Sequence, residues 1–281
     1  MSISVRKIMP NFVGEIGGVD MRRLDDASFA AVKQAWLENQ VIVFHGQQLE
    51  EDDLVGFSRR FGGLEIHVRT EYLSEQHPEI LYVSNVKKAG REIGILSDHE
   101  VGWHYDQIYL PRPAVGSCLY AVKLPKEGGS TYFADMSGAY EKLPAALKKA
   151  IDGRKAVQSY EYFNRHNSVP TNNEQKKKTP DVEHPIVRTH PLTRRKALYI
   201  CPGMTTRIVG LGDVESKAVL DELFEWCVRP EFVYRHDWKY GDAVMWDNAC
   251  TMHRRDPFDP ESERLMKRTT ILPPAELAIP H

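Results

Sequence analysis

The chain is poor in the features that would define its class quickly. It has only four cysteines, Cys118, Cys201, Cys227 and Cys250, and no two stand close enough for a CxxC or zinc-ribbon spacing. A disulfide framework is therefore not expected. Free thiols packed as small hydrophobes in a reducing compartment are the simpler reading. An excess of either charge is also missing: 37 Lys and Arg stand against 39 Asp and Glu, a net charge of -2. That balance gives no footprint for nucleic acid. No apolar run is long enough to span a membrane. The opening "MSISVRKIMPNFVGEIGG" lacks the apolar core of a secretory signal, so a cytoplasmic location is expected. No internal repeat is visible. What is present is ordinary for a globular protein, 42% hydrophobic and 27% charged over 281 residues. That length carries a sizeable core.

Helical signals are few. "DDASFAAVKQAWLENQ" offers Asp25 or Asp26 as an N-cap, and "EEDDLVGFSRRFG" places acids in its first turn and Gly62 at its end. "SGAYEKLPAALKKAIDG" is interrupted by Pro144. "GDVESKAVLDELFEWCVR" is the best amphipathic segment. Strand-like runs outnumber these: "QVIVFHG", "ILYVSN", "GSCLYAV", "STYFAD", "HPIVRTHP", "KALYI", "EFVYRHDW", "DAVMWDN" and "RTTIL". "EFVYRHDWKYGDAVMWDN" reads as a hairpin turning at Tyr240–Gly241–Asp242. Strict alternation of strand and helix is absent. The expectation is a mainly β protein with flanking helices, a sandwich or barrel whose mouth holds a ligand. One polar segment, residues 164–185, carries Lys176, Lys177 and Lys178 between prolines and reads as a surface loop or lid.

The stretch "VGWHYDQIYLPRP" puts His104 and Asp106 two apart. With 11 His and 39 acids, about 1.5 His-x-Asp/Glu matches arise by chance. Two occur, the other being His77-Pro78-Glu79, so the pattern alone decides nothing. Geometry favours the first. In a strand, residues i and i+2 share a face, whereas Pro78 sits badly in a paired strand. Two histidines and one carboxylate with open positions are typical of non-heme Fe(II) oxygenases. Candidates for a third ligand are His166, His184, His190, His236, His253 and His281. His253 is favoured because it follows the apolar "AVMW" strand and leads into the charged "RRDPFDPESERLMKR". Trp103, Tyr105, Tyr109, Trp238 and Trp246 read as core or pocket-wall aromatics, and Arg254 and Arg255 as surface charges.

"HYD", "GGSTYFADM", "GDAVMWDNACTMHR" and "ERLMKRTT", in this order, resemble the taurine dioxygenase / 2,4-dichlorophenoxyacetate dioxygenase family of Fe(II)- and 2-oxoglutarate-dependent oxygenases. "GEIGGVDMRRLDD" and "VIVFHGQQLEEDDLVGFSRRFGGLE" extend the resemblance over most of the chain. It implies a double-stranded β-helix (jelly-roll, cupin-like) core in one domain over 1–281. It implies that His104, Asp106 and His253 hold Fe(II), with Arg264 and Thr131 on 2-oxoglutarate and O2 as the other co-substrate. It further implies Arg268 and His67 on a small, anionic substrate. Glu100 and Tyr105 are positions where this chain departs from relatives, so both are expected near the substrate. Relatives of this kind form homodimers or homotetramers. The implied reaction couples decarboxylation of 2-oxoglutarate, to succinate and CO2, with oxidation of a substrate C–H bond. Two other functions fit the same ligands: a non-catalytic binding barrel and a zinc hydrolase.

Overall fold

The computed structural model describes residues 3–95, 100–165 and 172–277. Among these residues two sheets pack face to face. The larger has seven strands in the order Ser4–Met9, Val13–Gly17, Val41–Phe44, Ala243–Asp247, Gly116–Lys123, Leu265–Ile271, Leu81–Ser84. The smaller has four: Val233–His236, Thr131–Asp135, Thr251–Arg255, Val101–His104. Pairing is antiparallel except between Val13–Gly17 and Val41–Phe44. This is the expected jelly roll.

Strict alternation along the strands makes three apolar layers. Val41, Val43, Leu119, Ala121, Phe133, Val244, Trp246 and Met266 meet between the sheets. Their neighbours Ile42, Phe44, Cys118, Tyr120, Ala243 and Met245 face outward, against helices Asp26–Asn39 and Glu51–Arg59. Behind the small sheet, Ala134 and Met252 pack on Met136, Leu147, Leu220 and Leu223 from helices Met136–Glu141, Ala145–Ile151 and Asp213–Cys227. Asp25 caps the first helix, its carboxylate accepting from the Ser28 N–H at 2.7 Å. Pro144 separates two helices, as its missing N–H requires. All four cysteines are buried and free. No helix among the described residues is long and apolar enough to cross a membrane.

Two expectations need correction. "EFVYRHDWKYGDAVMWDN" is not a hairpin: Val233–His236 pairs with Thr131–Asp135 in the small sheet, while Ala243–Asp247 joins the large one. Residues 237–242 cross between the sheets. Gly241 makes the turn at φ +78, and its Cβ would come within 2.6 Å of the Gln47 carbonyl. The 164–185 segment carries structure of its own, a helix at Asn173–Lys178 and a strand at Val182–Pro185 paired to Lys155–Gln158. Residues 166–171 and 278–281, and with them His166 and His281, lie outside the described residues.

Candidate active site

The same alternation builds the site. His253 lies opposite His104 on adjacent strands of the small sheet and opposite Phe133 on the other side. His104 and Asp106 face inward and Tyr105, between them, faces outward. Ligand atoms of His104, Asp106 and His253 lie within 4.8 Å of one another, and no other such group of His, Cys, Asp or Glu occurs among the described residues. The two imidazole ring centres stand 4.2 Å apart, and Trp246 and Phe133 pack on the His253 ring. The His104 Nδ1–H donates to the Gly102 carbonyl at 2.8 Å, which leaves Nε2 as its ligand atom. Phe163, from helix Tyr160–Asn164, covers the His104 ring at 5.5 Å.

Asp106 is 6% exposed and fully engaged. The Ser117 hydroxyl donates to Oδ2 at 2.7 Å, and the Asn248 amide donates to Ser117 at 3.0 Å. Arg268 Nη1 donates to Oδ1 at 2.9 Å. Burial alone would raise this carboxyl. Arg268, the two imidazoles and Ser117 outweigh it and hold the group well below the usual carboxylate range. Burial also pushes the His253 imidazole down to about 3, assisted by His104 and Arg268, and lowers His104. Two neutral imidazoles and one anionic carboxylate are the protonation states a divalent metal needs.

One step along the small sheet, Thr131 pairs with Arg255 while Phe133 pairs with His253. That places Thr131 about 7 Å along the inner face from the metal-ligand level. The Gly128–Gly129 turn, with φ of +79 and +71, presses the chain against Pro257 and Phe258. It also brings Gly129 so near the Arg264 guanidinium that an added Cβ would stand 3.4 Å from Nε. Arg264 is 1% exposed, and none of its three side-chain nitrogens has a hydrogen-bond partner among the described residues. Burial first, and Arg255 second, push it down to about 9. A buried cation without a counterion is costly. The donor set therefore fits an anion that the described residues do not supply. The three ligands fit Fe(II) equally well.

The other expected residues divide. Arg268 is brought to the site, and its Nε is buried without a partner among the described residues. His67 is brought there too. Leu64 bridges Ile271, and the Glu65 N–H bonds the Thr270 carbonyl, so antiparallel continuation sets His67 against Arg268 on the inner face. Burial, then Arg268, push His67 down to about 4, and it accepts the Arg69 N–H on Nδ1. Tyr105 is not brought to the site. It is fully buried behind the small sheet, donates to the Leu198 carbonyl at 2.7 Å and packs on Tyr199. Glu100 is exposed and pairs with Arg254 at 3.4 Å, not with a triad residue. Arg255 is not a surface charge but 6% exposed, because it shares the inward face of His253. Arg254 lies over Tyr132 at 3.7 Å and beside Trp103. The unused histidines have other partners: His77 faces Asp52, His184 donates to the Leu110 carbonyl, His190 to Asp247, and His236 adjoins Asp242.

Sequence reasoning missed Glu65, Ser117 and Asn248. Glu65 sits two residues before His67 on the same face, and burial, then Asp106, push its carboxyl up to about 7 against the pull of Arg268 and Gln107. The alternation in "LEIH" was its signal.

Residues 4–270 match the family described as "Taurine catabolism dioxygenase TauD, TfdA family". The chain is 34% identical to the alpha-ketoglutarate-dependent 2,4-dichlorophenoxyacetate dioxygenase of Burkholderia sp. (strain RASC), over 97% of this chain and 95% of that one. It is 33% identical to the (S)-phenoxypropionate/alpha-ketoglutarate-dioxygenase of Sphingobium herbicidovorans, over 96% of each. The crystal structure of AAD-2 in complex with Mn(II) and N-oxalylglycine superposes with a TM-score of 0.85 at 32% identity, covering 99% of both chains. On this agreement of sequence, fold and site, the chain belongs to the TauD/TfdA family of dioxygenases.

Proposed function

We propose that this Fe(II)- and 2-oxoglutarate-dependent dioxygenase oxidises an unactivated C–H bond in a small molecule carrying a carboxylate, sulfonate or similar anion. The observation that carries the co-substrate assignment is Arg264, a fully buried guanidinium with no hydrogen-bond partner among the described residues. A planar fork binds a carboxylate bidentately, which lysine would not reproduce. Its nearness to the Thr131 turn supports a joint grip on the distal carboxylate of 2-oxoglutarate. When bound, Fe(II) and 2-oxoglutarate together supply dioxygen activation, at the cost of decarboxylation to succinate and CO2.

The chain's own residues bind, orient and exclude water. His104, Asp106 and His253 would hold the metal on one side and leave the other open. Ser117 and Asn248 fix the Asp106 carboxylate. Arg268 and His67 stand together on the inner face, beside Asp106, where an anionic substrate group would gain a charge-assisted bond. The relatives' named substrates, 2,4-dichlorophenoxyacetate and phenoxypropionate, are aryloxy acids, which supports this class. Phe133, Trp246 and Phe163 line the metal site with apolar surface. A zinc hydrolase or a non-catalytic barrel would give Arg264 no role.

The test is a panel of aryloxy acids, sulfonates, phosphonates and amino acids, each beside its neutral amide or ester, scored by succinate release. Release is expected with one anionic class. Arg268→Gln should then raise KM for that substrate about tenfold or more. Turnover with neutral analogues and none with the anions contradicts the substrate assignment.

A further inference from the structure

Thr131 is the less obvious half of the co-substrate grip, and its geometry is set by another residue. The Trp238 indole N–H donates to Thr131 Oγ1 at 2.9 Å. An indole N–H only donates. The Thr131 oxygen is thus committed as acceptor, and its single proton has to leave in another direction. Thr131 is 3% exposed, so solvent is not that direction. The residue faces inward, on the side of Gly129 and Arg264.

Trp238 is itself held. It follows Tyr234 and His236 on the inward face beyond the end of strand Val233–His236. The His236 ring meets the indole at 4.5 Å and 89°. His236 in turn lies 3.1 Å from the Tyr234 hydroxyl and 3.2 Å from the fully buried Asp242 carboxylate. Trp238 also lines an open pocket of about 180 Å³ with Gly129, Ser130, Arg235 and Asp237.

We propose that Trp238 is a positioning residue for the co-substrate: its N–H fixes the Thr131 hydroxyl as a donor to the distal carboxylate of 2-oxoglutarate. The inference rests on the Arg264–Thr131 reading above. It makes a prediction that a merely structural tryptophan does not. Losing the N–H weakens binding of a 2-oxo acid only if that acid has a distal carboxylate.

The experiment titrates Fe(II)-loaded protein under argon with 2-oxoglutarate and with 2-oxobutanoate, which keeps the chelating head and lacks the second carboxylate. Binding is read from the visible metal-to-ligand band. Trp238→Phe should raise the Kd for 2-oxoglutarate about tenfold and leave that for 2-oxobutanoate unchanged. Thr131→Val should do the same, and the double variant should lose no more than either single one. Trp238→Leu carries the same comparison if Trp238→Phe does not fold. Equal weakening of both ligands, or additive losses in the double variant, overturns the proposal. So does an unchanged Trp238→Phe beside a weakened Thr131→Val, which leaves the grip itself intact. If neither Thr131→Val nor Arg264→Met weakens 2-oxoglutarate, the underlying reading falls and this one with it.

Discussion

Replacing Arg264 with methionine should stabilise the ligand-free protein while removing most of its response to 2-oxoglutarate. The guanidinium is 1% exposed, none of its nitrogens is paired among the described residues, and Arg255 adds repulsion. Exchanging such a buried charge for an apolar side chain of similar length is neutral or stabilising by about 1–4 kcal/mol. Methionine also avoids the cavity that alanine would leave. In the wild type, 2-oxoglutarate at 100 times its Kd should add about 2.7 kcal/mol. For a chain of 281 residues that is roughly 5 °C in Tm. The assay is calorimetry of the Fe(II)-loaded protein under argon, with and without 2-oxoglutarate. At that concentration the variant should gain only about 0.4 kcal/mol, a shift below about 1 °C, if its affinity is about a hundredfold weaker. A loss of about 3 kcal/mol or more in the ligand-free variant, with the 2-oxoglutarate shift intact, would refute the reasoning, because it would mean that Arg264 has its counterion inside the protein.

Three further outcomes follow from the geometry. Ser117→Ala removes the donor to Asp106 Oδ2 and should cost about tenfold in Fe(II) affinity with the fold kept; an unchanged metal titration would show that the carboxylate is oriented without it. Tyr105→Phe loses the bond to the Leu198 carbonyl, so unfolding in urea should show a loss of about 1 kcal/mol with KM for substrate unaltered; a raised KM would return Tyr105 to the pocket. His184 is held down to about 4 by burial, so as pH falls below 6.5 the unfolded chain takes up its proton first. Its contribution is complete above that pH and is lost on the way down to 4, a slope worth about 3 kcal/mol in all. His184→Gln should flatten the pH dependence of unfolding in that window; an identical slope would place the titration elsewhere.

Much of this was legible in the chain because a jelly roll turns period two directly into inside and outside. His104 and Asp106 share a face for that reason. So do Thr131 with Phe133, and Arg264 with Arg268. The same rule put Tyr105 on the opposite face. Treating it as a pocket residue gave a departure from relatives more weight than the pleat. Arg255 was misread in the same way, since charge suggested surface while alternation with His253 required burial. What period two does not encode is which strands lie in which sheet. "EFVYRHDWKYGDAVMWDN" has a hairpin's spacing, yet residues 237–242 carry the chain across the sandwich. Ser117 and Asn248 were illegible because their importance depends on a partner far away in sequence, Asp106. Arg264 differed: the family resemblance pointed to a carboxylate, but that it lacks a partner among the described residues is visible only once the chain is folded.

The most direct test of the central claim is an anaerobic titration of the wild-type protein with Fe(II) and then 2-oxoglutarate. The account predicts a visible charge-transfer band that saturates at one 2-oxoglutarate per chain, is absent in His104→Ala, and needs about a hundredfold more 2-oxoglutarate in Arg264→Met. No band in the wild type, or the same half-saturation in Arg264→Met, would contradict it.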